Sequence, residues 1–276
     1  MTGKKRTVLL ACLLLLIGVA VAVVYWQWQV TVPATTHEGY YAAVQGKSGD
    51  DLRQALHNLI RQHTRVSYAS LWQHYRATDC RPDGTVWDMY GDIHFAKFKS
   101  VQGGPPGRMG SYLTREHSWP KTSWGGAVND AYSDLFHVLP GDAHTNGQKG
   151  IRPPGETDGS AKSWGVTKVG AARAGLGYAG EVFEPGDEYK GDFARTYFYF
   201  LVCYLTGDDA LPCTGWPLVA ADGTNWQPWA LAMLRRWHEQ DPVSSKETGR
   251  NDAVFRIQHN RNPFIDHPEW VAAIWE

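Results

Sequence analysis

Cysteine is scarce in this chain: there are four in 276 residues, and Cys12 falls inside an apolar run. Cys80, Cys203 and Cys213 remain, too few for a small disulfide scaffold and without the paired spacing of a zinc ribbon. An excess of charge is also missing, because 27 Lys plus Arg stand against 28 Asp plus Glu. Bulk charge therefore does not mark a polyanion-binding protein, and any such surface has to come from local segregation. Repeats and low-complexity tracts are absent, which excludes solenoids and disordered arrays. What is present is 43% hydrophobic residues with 13 tryptophans, enough for one large domain or two small ones with a real core.

The N-terminus carries the longest apolar run. Lys4, Lys5 and Arg6 precede an uninterrupted stretch from Val8 to Trp26, close to the ~20 residues that span a bilayer as a helix. Basic residues ahead of the run stay in the cytoplasm, which sends the remainder outward. An uncleaved anchor is the first reading. A cleaved signal at Ala20-Val21-Ala22 and lipidation at Cys12 are the alternatives. The expected division is residues 1–30 as anchor or signal, 31–47 as a polar linker and 48–276 as the folded domain, held in the periplasm or outside the cell. In that oxidising setting Cys203 and Cys213 would close a short loop, Cys80 can pair with either, and free buried thiols are the further alternative.

From Ser48 the pattern becomes periodic. Leu52, Ala55, Leu56, Leu59 and Ile60 form a helical stripe, with Ser48, Asp50 and Asp51 marking its start. Leu71, Trp72 and Tyr75 suggest a second short helix. Asp83-Gly84 opens a turn, and the residues through Tyr90 alternate roughly like a strand. Residues 103–191 read as a loop-rich middle around one β-hairpin. Helices are expected again over Phe193 to Leu205, from Pro228 with proline at the first helical position, around Ala253 to Gln258, and from Trp270 to Trp275. The fold class is α+β, mainly helical.

Chemistry concentrates in Arg115-Glu116-His117-Ser118-Trp119-Pro120, in Asp134 to Pro140, and in Gly141 to Lys149. A hard divalent cation takes oxygen ligands, which suits Glu116 and the amide oxygen of Asn146. An imidazole beside such an ion, with an ordinary pKa near ~6.5, can take a proton from water. The set fits phosphodiester hydrolysis. If strands precede Trp119 and cover 135–139, and Asp142 opens a helix, then Glu116, His117 and Asn146 converge at one end of a hairpin. Neighbouring strand residues face opposite ways, so Glu116 and His117 have to lie where the strand ends or bends.

These segments, with Gly191 to Tyr197, Asp241-Pro242, Glu247, Arg250-Asn251 and Gln258 to Phe264 in the same order, resemble the bacterial endonuclease I family of periplasmic and secreted nucleases. The likeness covers roughly residues 50–267. That family belongs to the ββα-metal, or His-Me finger, group. The resemblance implies a ββα-metal core, with His117 as general base and Glu116 and Asn146 holding one Mg²⁺, or Mn²⁺ or Ca²⁺ in its place. It implies cleavage of DNA, and of RNA as well, leaving 5′-phosphates. His117 should be neutral, its other nitrogen held by a backbone carbonyl. His137 and Asp134 are expected to support the site, and Arg115, Lys149, Arg195 and Arg261 to contact phosphates. The chain departs from the family pattern at Phe136-His137, where many relatives have His-Asn.

Overall fold

The computed structural model describes residues 37–96, 101–105, 107–213 and 215–276. Gly46–Glu276 is one compact unit. Within the expected linker, His37–Tyr40 is helical and Ala42–Val44 is a 3-10 turn. The expected span at residues 8–26 lies outside the described residues. Among those described, no helix is long and apolar enough to cross a membrane.

The first helix, α1 (Gly49–Ile60), buries Leu52, Leu56 and Ile60, the stripe read from the sequence. Ser48 precedes it with an extended backbone, but its side chain caps nothing. The second helix, α2 (Leu71–Thr78), buries Leu71 and Tyr75. The strand expected over 83–90 is absent, and only an isolated bridge joins Cys80 to Val86. A local carboxylate outcompetes a ladder there: the buried Asp88 accepts from the backbone amides of Tyr90, Gly91 and Ile93, curling the chain.

The hairpin forms one residue set later than expected on its second side. Strand β1 (Leu113–His117) runs antiparallel to β2 (Val138–Asp142), with Glu116 opposite Leu139 and His117 opposite Val138. Residues 135–137 are a turn instead, held by Asp134, whose carboxylate accepts from the Phe136 amide and whose carbonyl accepts from Val138. Gly141 in β2 is a steric requirement, since a Cβ there would sit 2.7 Å from the Tyr90 ring. Asp142 caps α3 (Ala143–Lys149), its Oδ1 accepting from the Thr145 amide at 2.7 Å. A three-stranded sheet that the sequence reading missed follows: β3 (Lys162–Trp164), β4 (Thr167–Ala171) and β5 (Glu181–Glu184), in that order and antiparallel. Strand β4 lies against α3.

Helix α4 (Lys190–Tyr204) is the centre of the molecule, buried on every side from Gly191 onward. It packs against α1 and against α5 (Pro228–Gln240), while α2 packs on α6 (Ser245–Gln258). Two short helices, α7 (Pro263–Asp266) and α8 (Trp270–Ile274), close the chain. Helix α4 also anchors the exit of β1. Trp119 stacks on Phe200 with centroids 4.5 Å apart, and the Tyr197 hydroxyl donates to the Ser118 carbonyl. Such a ring pair contributes about 1 kcal/mol beyond its buried area, and it fixes the end of the strand that carries Glu116 and His117. Helices with small antiparallel sheets make this a mixed α and β fold.

Candidate active site

His117 is the last residue of β1, and its ring enters an aromatic nest. Tyr68 lies nearly parallel to it at 5.7 Å, with Tyr132 at 5.2 Å, Trp124 at 6.0 Å and His137 at 5.7 Å. Its Nε2 donates to the Tyr132 carbonyl at 2.9 Å. That bond places the proton on Nε2 and leaves the lone pair on Nδ1. Burial pushes the imidazole down to about 3, and the charges of His137, Lys121 and Lys149 act in the same direction. The ring is thus neutral throughout the physiological range, with the Nδ1 lone pair carrying no proton.

Glu116 leaves the strand on the opposite side, as strand alternation requires, because β1 stays regular through His117 and does not bend to turn both side chains one way, as convergence would require. Its Oε1 accepts from Lys149 Nζ of α3 at 2.8 Å. Asn146 precedes Lys149 by three residues on the same helix, a spacing that puts the two on one helical face. No partner is found among the described residues for Glu116 Oε2 or for the Asn146 amide. The Tyr90 hydroxyl, whose pKa is raised by burial and then by the Glu116 charge, is likewise unpartnered. A carboxylate oxygen and an amide oxygen beside an orphan hydroxyl are hard donors, and they fit a divalent ion with water completing its coordination.

His137 and Asp134 hold up the turn behind His117. The His137 ring is fully buried, bonds the Ala131 carbonyl, and is pushed down to about 4, burial being the largest cause. Asp134 accepts from Tyr199, Tyr204 and Gln258. Burial works against its charge, yet His63, His137, the Gln258 amide and the Phe136 N–H hold the carboxyl below its ordinary range. His63, Asp134 and Cys203 are close enough to share an ion. The Tyr204 hydroxyl already bridges His63 Nε2 at 2.8 Å and Asp134 Oδ2 at 2.7 Å, which makes this a hydrogen-bonded cluster.

The cations expected on phosphates divide. Arg115 lies 3.9 Å over the Tyr68 ring and donates to the Tyr68 carbonyl, beside His117. Lys149 is instead fully buried and spent on Glu116. Arg195 is also fully buried, clamped by both oxygens of Glu247, with Nη2 to Oε2 at 2.8 Å. Arg261 is buried and held by Asp266 and Asp252. Each of these three is buried and paired with a carboxylate inside the protein. The three described cysteines are free thiols, so the loop-closing pair Cys203 and Cys213 is not bonded. The sequence reading overlooked Tyr68 and Tyr132. Their available signal was weak: an aromatic residue beside Ser67 and one beside Ser133 in segments without periodicity.

The sequence model of the Endonuclease I family matches residues 48–269. An extracellular ribonuclease of Bacillus amyloliquefaciens is 36% identical over 256 residues, covering 89% of this chain and 81% of that protein. An extracellular ribonuclease of Bacillus subtilis (strain 168) is 34% identical over 247 residues, covering 88% and 80%. A match over most of the chain, together with relatives aligned across most of their own length, has one meaning: the chain belongs to the endonuclease I family and is an endonuclease.

Proposed function

We propose that the chain is a metal-dependent, non-specific nuclease acting outside the cytoplasm on RNA and DNA, leaving 5′-phosphate ends. The observation that carries this reading is the Nε2 bond of His117 to the Tyr132 carbonyl, which presents a neutral Nδ1. His117 takes the proton of the attacking water at Nδ1, and the aromatic nest keeps the ring oriented and dry. Glu116 and Asn146 hold a Mg²⁺-like ion, with Lys149 and the Tyr90 hydroxyl beside them. When bound, that ion supplies electrostatic stabilisation of the phosphate charge and of the leaving 3′ oxygen. The antiparallel hairpin followed directly by α3 supports assignment to the ββα-metal group.

The names of the two relatives favour RNA as a substrate and an extracellular location. Residues 1–30 act as anchor or signal, 31–47 as linker and 48–276 as the nuclease domain. Backbone phosphate contacts dominate binding, so sequence preference is small and affinity falls steeply with salt. The test uses purified protein with supercoiled plasmid and with single-stranded RNA, with and without EDTA, beside His117→Ala. The parent should cut both substrates, EDTA should stop it, and His117→Ala should slow cleavage at least about 100-fold with an unchanged circular dichroism spectrum. Cleavage that survives EDTA, or a variant as fast as its parent, would overturn the reading.

A further inference from the structure

Two of the rings packed on His117 also line a groove of about 430 Å³, formed by Arg65, Ser67, Tyr68, Val128 and Tyr132. Tyr132 is the residue whose carbonyl holds His117, and Tyr68 is the ring lying parallel to it. The two tyrosines meet at 5.0 Å and 55°, an aromatic corner and not a flat shelf. Val128, 66% exposed, forms an apolar rim. Two cationic groups are at hand, one in the lining and one beside the Tyr132 ring. Arg65 is exposed and has no ion pair among the described residues, and the Lys121 ammonium lies 5.5 Å from the Tyr132 ring.

Resting on the nuclease reading above, we propose that this groove seats one unpaired nucleobase of the substrate strand, next to the reacting phosphate, and so favours single-stranded nucleic acid over duplex. Arg115 already lies over the Tyr68 ring and His117 parallel to it, so a base in the groove meets the remaining tyrosine surface and the Val128 rim, contacts that any base can make. A base paired and stacked in a duplex cannot enter the corner without being extruded, and extrusion costs binding energy. Arg65 and Lys121 are placed to take the phosphates on either side of that nucleotide. The site therefore recognises a nucleotide by its base and its backbone together.

The experiment is calorimetric titration of the whole protein, in EDTA, with adenosine 5′-monophosphate and with ribose 5-phosphate. The nucleotide should bind at least tenfold more tightly than the sugar phosphate, and this arm needs no variant. Val128→Trp fills the groove from its exposed rim and should weaken the nucleotide at least tenfold while leaving the sugar phosphate unchanged. Arg65→Ala should weaken both ligands. In cleavage assays Val128→Trp should lower the ratio of single-stranded to duplex kcat/KM at least fivefold. Equal affinity for the two ligands, or unaltered nucleotide binding by a natively folded Val128→Trp protein, would sink the proposal. If nucleotide discrimination fails while the parent still cleaves in a metal-dependent manner, only the groove is refuted. If discrimination holds but the parent cleaves nothing, the nuclease reading is the one that falls.

Discussion

Glu116 and His117 are neighbours in β1, yet the two sides of the hairpin they enter are built differently. On the Glu116 side, a half-buried carboxylate faces a buried ammonium from α3 at 2.8 Å, a polar, charged environment. On the His117 side, tyrosine, tryptophan and a second histidine strip water from an imidazole and keep it neutral. The first environment is suited to cationic charge and the second keeps an imidazole unprotonated. Strand alternation is the device that separates them without separating the residues in sequence.

The largest effect should come from breaking the charged side. Lys149→Met removes a fully buried cation from a carboxylate that is only 15% exposed. Loss of one partner from such a pair should cost about 3 kcal/mol, near the low end for buried ion pairs because Glu116 touches solvent, and urea denaturation measures it. The same variant sharpens the comparison, since Mg²⁺ should raise its melting temperature more than it raises the parent's. Equal shifts would show that Lys149 and the ion do not answer to the same carboxylate.

A smaller effect belongs to the aromatic side. The pKa of His137 is near 4 in the fold, surrounded by Asp134, His63 and His117, against an ordinary value of about 6.5. Below pH 6.5 the unfolded chain takes up a proton that the folded chain refuses, so stability is full above that pH and drains away as pH falls toward 4. The slope is roughly 1 kcal/mol per pH unit for one such group. His137→Asn, whose amide can still donate to the Ala131 carbonyl, should remove about one proton from that slope in denaturation curves between pH 7 and 4.5. An unchanged slope would mean that the imidazole is not held neutral.

The smallest effect is expected at the border of the two sides. Arg115→Gln should change stability by about 1 kcal/mol, the scale of a cation over a part-buried ring. It should also reduce the salt dependence of nucleic-acid binding by about one unit of slope, measured by filter retention at several salt concentrations. A change of similar size in the Arg261→Gln protein would contradict the internal pairing of Arg261.

Much of this was legible beforehand, and the parts that were not share a cause. The stripe of α1, the proline start of α5 and the Asp142 start of α3 are local signals, and the folded chain uses them as written. Helix α4 was found by its aromatic face, though its burial on every side depends on the elements that surround it. The small sheet escaped notice because β3 is largely exposed and β4 is interrupted by glycine and charge, so neither alternates. The stretch 83–90 alternates well enough, but the Asp88 carboxylate captures its backbone amides first.

By itself the sequence determined the periodic helices, the order of the site blocks and the residue types able to bind a hard ion and move a proton. Those properties are carried by single side chains or by neighbours within a turn. Tertiary structure alone decided which cations are spent inside and which remain available. Lys149, Arg195 and Arg261 read like Arg115 in one dimension, and only the carboxylates brought to them from elsewhere in the chain neutralise them. It also decided the state of His117, because desolvation is a property of everything packed around a ring, and Tyr68, Tyr132 and Trp124 reach it from separate stretches of chain.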